Sequence, residues 1–403
     1  TAMLPMPDET IVRKTLYTLL MDPADDREGF YNRLPHEAAY RDPSGAWIVG
    51  NYRLARAVLN HPDLSNRSPL FEHGAMIDEA GMLDMMLFEV QPMHERLRKA
   101  FAPLFSKARL VALRDSIQSD LATLAARIPD TGRFDIVEHI ARHLPAMTAC
   151  RLLGIDVEHA PAFIDRSLAA IQLISAAPLA PRARVERVEQ TIDWLRELET
   201  HLPAVRALLE SGSSTSTCPA AQDIALTPRQ LLVNILLIFI AGFGTTMLSI
   251  ANTVCQALTT SGLWPLLVRE PQRAPLAIRE LMRVEPAVHL MIRYARSAVE
   301  LDGLSLASGD VVAVVAAAAN RDPAEFDAPG DVRIDRAHQG LVFGAGAHGC
   351  IGIALARMQI EAVFDMLLAR MPDLSLEPGP HPRLQEGVFR GYRSLWVCSS
   401  RRN

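Results

Sequence analysis

Phe343-Gly344-Ala345-Gly346-Ala347-His348-Gly349-Cys350-Ile351-Gly352 crowds glycines around one cysteine, directly ahead of a helical pattern. Glycine suits tight turns and close approach of backbone to a ligand. A cysteine on such a turn, at the head of a helix, meets backbone N–H groups and the positive end of the helix dipole, which favour an anion. That anion is a thiolate, and a thiolate is a metal ligand. The other cysteines (Cys150, Cys218, Cys255 and Cys398) do not stand at zinc or iron–sulfur spacing from it. The stretch therefore indicates a metal held by a single sulfur. The alternative is a structural cysteine buried in a glycine loop, a common fate of free cysteines.

Outward from this loop, a helix follows over 351–371, and an irregular stretch, 320–339, precedes it. Before that come short strands, with turns at Asp302-Gly303 and Ser308-Gly309-Asp310 and a buried strand over 311–315. Residues 275–285 read as a helix ended by Pro286. On it Glu280 and Arg283 stand at i, i+3, a spacing common for surface ion pairs. Further upstream, Thr227-Pro228-Arg229-Gln230 opens a long helix with an N-cap, a proline at the first helical position and a capping box. Its pattern runs to about Thr260, and 231–250 carries no charge, long enough to cross a bilayer. Asn234, Gly242, Gly244, Thr245, Thr246 and Ser249 interrupt that run, and no basic cluster marks an inside end, so a central buried helix is the favoured reading. Ala241-Gly242-Phe243-Gly244-Thr245-Thr246 invites a local opening of the helix, since glycine there costs about 1 kcal/mol and threonine bonds back to the preceding turn.

The first half of the chain is helical from Met93 to about residue 210, with breaks at prolines and glycines. A strand over 46–49 and a helix over 52–60 precede it, and 66–92 is an aperiodic, methionine-rich loop suited to an adaptable apolar pocket. Residues 211–217 are a low-complexity surface connection. The tail, 378–397, reads as strands closing a small sheet. The expectation is one mainly α domain, 1–403, with small β-sheets.

Phe343-Gly-x-Gly-x-His-x-Cys-x-Gly352 resembles the haem-binding signature of the cytochrome P450 family, the haem-thiolate monooxygenases. Haem with one axial thiolate satisfies the single-sulfur reading. The resemblance implies the P450 fold, with haem b between the long helix and the helix after Cys350. It implies Cys350 as the iron ligand, Phe343 packed beside the sulfur, Gly344 in the loop, and the Gly352 N–H softening the thiolate. It implies that His94, Arg98, Arg293 and His348 clamp the two haem carboxylates, as arginine geometry allows. Glu280, Arg283 and Arg336 match a buried structural trio, approached through Asn320-Arg321-Asp322-Pro323 and Phe326. Ala241, Gly242, Thr245 and Thr246 match the family's distal-helix motif, but Gly244 stands where the family carries an acid that helps deliver protons. Three substitutes for that acid are open: a water chain in the space glycine leaves, a group on the substrate, or a reaction that avoids ordinary O–O cleavage. Pocket candidates are the 66–92 loop, Ile240, Ala241, Phe243, Gly244, Thr245, the stretch from Val288 to Leu290, and the turn at Val388 and Phe389.

Net charge is −5, so nothing suggests a nucleic-acid partner. Scattered, odd-numbered cysteines and an N-terminus without a signal pattern lead to the expectation of a cytoplasmic protein off the membrane, and a monomer. The family implies electrons from NAD(P)H through ferredoxin and ferredoxin reductase; Arg98, Lys99 and Arg357 are candidates for part of a basic docking face near the thiolate side, with ordinary solvated charge as the equal alternative. The favoured function is insertion of one oxygen atom from O2, as hydroxylation or epoxidation, into a medium-sized apolar substrate of secondary metabolism. The alternatives are a haem-thiolate oxidation without oxygen insertion (coupling, desaturation or rearrangement) and a non-catalytic haem-binding protein.

Overall fold

The computed structural model describes residues 14–21, 27–36, 39–68, 80–129, 132–176, 179–213 and 226–400. The part of the pocket loop over 69–79 and most of the connection over 211–217 lie outside the described residues.

The Pro228–Thr259 helix runs through the centre. Its capping box is formed: Gln230 N–H donates to Thr227 Oγ1 and Thr227 N–H to Gln230 Oε1, both at 3.1 Å. At 1.5 Å per residue its 32 residues span about 48 Å. Its residues belong to the largest apolar cluster, with the helices Lys107–Ala125, Leu144–Leu153, Ala160–Ile174, Ala274–Val284 and Ile353–Arg370. The helix is long and apolar enough to cross a membrane, but 78% of that window is buried within the fold. Asn234, which interrupts the apolar run, is fully buried and useful there. Its Oδ1 accepts from Met86 N–H at 2.7 Å, and its amide donates to the Asp84 carbonyl at 3.1 Å. A side-chain amide thus fastens the 80–90 segment to the central helix.

A second apolar cluster surrounds a five-stranded sheet. Its order is Tyr40–Arg41, Trp47–Val49, Val311–Val314, Met291–Ala295 and Leu64–Ser65. Only the Trp47–Val49 and Val311–Val314 pair is parallel. A smaller cluster packs the Leu16–Met21 and Arg27–Arg33 helices behind that sheet.

The helical stretch from Met93 to about residue 210 is broken by more than the expected turns at prolines and glycines. A strand, Gly132–Asp135, and a π-helix, Val137–Ala141, interrupt it. The strand pairs antiparallel with Trp396–Ser399 near the end of the chain. Asp135 anchors the junction, accepting from Val137 N–H, Ser394 Oγ and Leu395 N–H. A four-residue strand whose partner lies so far along the chain leaves no local period to read.

Candidate haem site

The Cys350 loop is shaped by two left-handed glycines, Gly344 (φ +70°) and Gly346 (φ +69°). A Cβ on Gly346 would lie 2.6 Å from the Leu59 carbonyl oxygen, so the loop is also pressed against the end of the Tyr52–Asn60 helix. The loop closes on itself through Cys350 N–H to the Phe343 carbonyl at 2.9 Å. Gly352 N–H points at Cys350 Sγ, 3.2 Å away. Arg357 lies over the Phe343 ring, 5.8 Å from its centroid, and donates to Gln339.

Cys350 is exposed, unlike Cys150 and Cys255. Burial by surrounding protein nonetheless pushes its thiol up, outweighing the Gly352 N–H and the Arg98 charge that pull it down. This corrects the reading in which N–H groups and dipole alone favour the anion. The loop supplies donors for a thiolate, and a bound metal is what deprotonates the sulfur.

What holds this loop in place begins on the Ala274–Val284 helix. Arg283 is fully buried and makes a two-pronged bond to Glu280, at 2.8 and 2.7 Å. Arg336 Nε adds a bond to Glu280 Oε1 at 2.8 Å, so the trio expected from sequence is assembled. Arg283 also donates to the carbonyls of Asn320, Pro329 and Asp331. Asn320 continues the chain of contacts: its Oδ1 accepts from Leu341 N–H at 2.7 Å, two residues before Phe343.

Four basic side chains, two arginines and two histidines, gather beside the sulfur. His94, on the Met93–Phe101 helix, is buried, and its ring sits 4.2 Å from that of His348. Met291 is the nearest side chain to Gly344, and Arg293, two residues along the same strand, faces the same way. Burial takes Arg293 down to about 10. Burial, then His94, Arg293 and Arg98, take His348 down to about 3, and burial followed by Arg98 lowers His94. Among the described residues none of the four has a carboxylate partner, and buried His94 Nδ1 has no hydrogen-bond partner. Two arginines without a carboxylate partner, beside two imidazoles that burial keeps neutral, one with an orphaned ring nitrogen, are what the two carboxylates of haem would satisfy. The residues present fit the group.

On the central helix, Ala241 is exposed although the turns around it are buried. Thr245 is half-buried and donates to the Ala241 carbonyl at 2.6 Å, leaving its oxygen lone pairs free to accept. Thr246 is buried. Of the pocket candidates, Val288 and Phe389 are brought together by a bridge between their backbones, and both are half-buried. Ile240 and Phe243 are buried in the main core, and Leu290 in the cluster with Leu19 and Tyr31.

Two groupings escape sequence reading. Ile171 covers Gly244: a Cβ there would lie 2.6 Å from Ile171 Cδ1. Glu285 is buried with Arg383 and Arg390 on one of its oxygens, tying the tail hairpin to the end of the Ala274–Val284 helix. Nothing in the spacing of these residues announces either contact.

Comparison with known proteins agrees with this geometry. Residues 274–384 match the family model described as Cytochrome P450. The chain is similar to cytochrome P450 monooxygenase PikC of Streptomyces venezuelae, 34% identical and covering 94% of this chain and 92% of that one. It is also similar to the mycinamicin IV hydroxylase/epoxidase of Micromonospora griseorubida, 29% identical over 87% of this chain and 88% of that one. Among solved structures, ligand-free CYP164A2 of Mycobacterium smegmatis superimposes with a TM-score of 0.83 at 26% identity, covering 95% of this chain and 99% of that one.

Proposed function

The chain belongs to the cytochrome P450 family of haem monooxygenases, and from that premise we propose that it inserts one oxygen atom from O2 into a medium-sized apolar intermediate of secondary metabolism. The observation that carries the site assignment is the exposed Cys350, its Sγ facing the Gly352 N–H, next to His94, His348 and two arginines that find no carboxylate among the described residues. Cys350 would ligate the iron of haem b, while His94, Arg98, Arg293 and His348 would hold its carboxylates. Bound there, a haem thiolate supplies the electron push that favours O–O cleavage.

The chain's own residues do the rest. The Gly352 N–H draws charge from the sulfur and so moderates that push. Ala241, small and exposed, leaves room on the distal side. Thr245 presents an oxygen that accepts a proton donor while its own proton is held by the Ala241 carbonyl. Val288 and Phe389 form an apolar wall that orients substrate and excludes water. Electrons come from NAD(P)H by way of ferredoxin and its reductase, docking near Arg98, Lys99 and Arg357, and the enzyme works as a cytoplasmic monomer. PikC and the mycinamicin enzyme, both named for oxygenation, support this reading.

The test is Cys350→Ser. The parent, reduced under CO, should show the red-shifted band of thiolate ligation, and the variant should lose it. A variant that kept the band would remove Cys350 as the ligand. Gly244, in place of an acid, favours a second reading: oxidation without oxygen insertion. Label from isotopic O2 appearing in the product decides against that one.

A further inference from the structure

Gly244 is not merely a residue lacking a side chain; the fold is built to do without one. A Cβ on Gly244 would sit 2.6 Å from Ile171 Cδ1, with Cγ1 next at 3.7 Å. Gly242, two residues earlier and on another face of the same helix, would meet nothing within 4 Å. Ile171 is 6% exposed and lies in the last turn of the Ala160–Ile174 helix. That helix is fixed on both sides of Ile171. Towards its start, Phe163 meets Phe239 edge-on, with ring centroids 5.4 Å apart. Just past its end, the Ser175 carbonyl accepts from Val388 N–H at 2.8 Å. The backbone at Ile171 is therefore held in place, and any relief of a contact at 244 falls to rotation of the Cδ1 methyl within its buried surroundings.

We propose that Ile171 and Gly244 are a complementary pair that seals the central helix against water at this turn. The inference rests on the haem-oxygenase reading for its meaning, but its geometry does not. A carboxylate at 244 would be buried against an apolar methyl group without a partner, which is costly. The atoms of Ile171 take the space that a water chain would need. Of the three substitutes for the missing acid, the geometry opposes the water chain and leaves two, a group on the substrate or a reaction that avoids ordinary O–O cleavage.

The experiment is a double-mutant cycle on the haem-loaded protein, using Ile171→Val because valine lacks the Cδ1 atom in question. Gly244→Ala alone should lower Tm, although alanine is the better helix former. In the Ile171→Val background the same substitution should raise Tm, a reversal of sign that marks coupling. Additive shifts would overturn the pairing. Water exclusion is read separately, as peroxide released per NAD(P)H consumed. Ile171→Ala should raise that ratio several-fold, and an unchanged ratio would overturn the seal. The thermal cycle reads packing alone. It can therefore fail while the CO band of the parent stands, or hold while the haem reading falls.

Discussion

Arg293 carries a charge that no carboxylate of the described chain answers, in a place buried enough to lower its pKa to about 10. Such a group is worth most to a ligand that supplies the missing anion. Arg293→Gln removes the charge and keeps a shorter, polar side chain with two N–H donors. A charge-assisted hydrogen bond contributes about 1.5–3 kcal/mol. Haem should therefore leave the variant roughly 10- to 150-fold faster, by the same arithmetic. Transfer of haem to an excess of acceptor apoprotein measures the rate, and a rate equal to the parent's would separate Arg293 from the haem carboxylates. At this scale the sequence is informative where the chemistry is local. Cys350, Gly344, Gly346 and Gly352 lie within ten residues, and their spacing alone encodes turn, donor and ligand. His94 and Arg98 share a helix face and could be paired by period. Ile171 over Gly244 could not, because that contact depends on how two helices cross.

The Ala274–Val284 helix shows what an element adds. Glu280 and Arg283 read as an ordinary i, i+3 surface pair by spacing. In the fold both are buried, and Arg336 and the Arg333 N–H complete the carboxylate's bonds. Burial on its own would raise the Glu280 pKa. The bonds from Arg283, the Arg333 N–H and Arg336 more than reverse it, and the carboxyl is held below its ordinary value of 4.5. The unfolded chain therefore takes up this proton first as pH falls. Stability from Glu280 is fully present above about pH 4.5 and is lost as pH drops through the lower folded value. Glu280→Gln strands two arginines and should cost about 3–5 kcal/mol at neutral pH. It should also flatten the acid limb by up to ~1.4 kcal/mol per pH unit. Urea midpoints at pH 7, 5 and 4 test both halves. A variant as acid-sensitive as the parent would mean that other carboxylates govern that limb. Sequence order suggested the trio by resemblance, but the carbonyls of Asn320, Pro329 and Asp331 around Arg283 come from an irregular loop with no period to read.

Across the whole molecule, one buried histidine joins parts of the chain that no local pattern connects. His289 Nε2 lies 3.0 Å from the Gly387 carbonyl, which only accepts, so Nε2 carries the proton. Nδ1 is then the acceptor, and Tyr31 Oη, 3.0 Å away, donates to it. His289 N–H also donates to the Val388 carbonyl, while Val388 N–H reaches Ser175 at the end of the Ile171 helix. The Arg27–Arg33 helix, the segment at Val288, the tail turn and the Ala160–Ile174 helix are thus linked through one imidazole and one turn. Tyr31→Phe withdraws the donor with little change of volume. Losing it from a buried acceptor should cost about 1–3 kcal/mol. Because the same turn carries Phe389 against Val288, substrate should bind a few-fold more weakly while kcat stays near the parent's. Denaturant unfolding and spectral titration with substrate read the two effects. If Tyr31→Phe matches the parent in both, the pocket wall is held by strand pairing alone, and the Tyr31–His289 link is incidental to it.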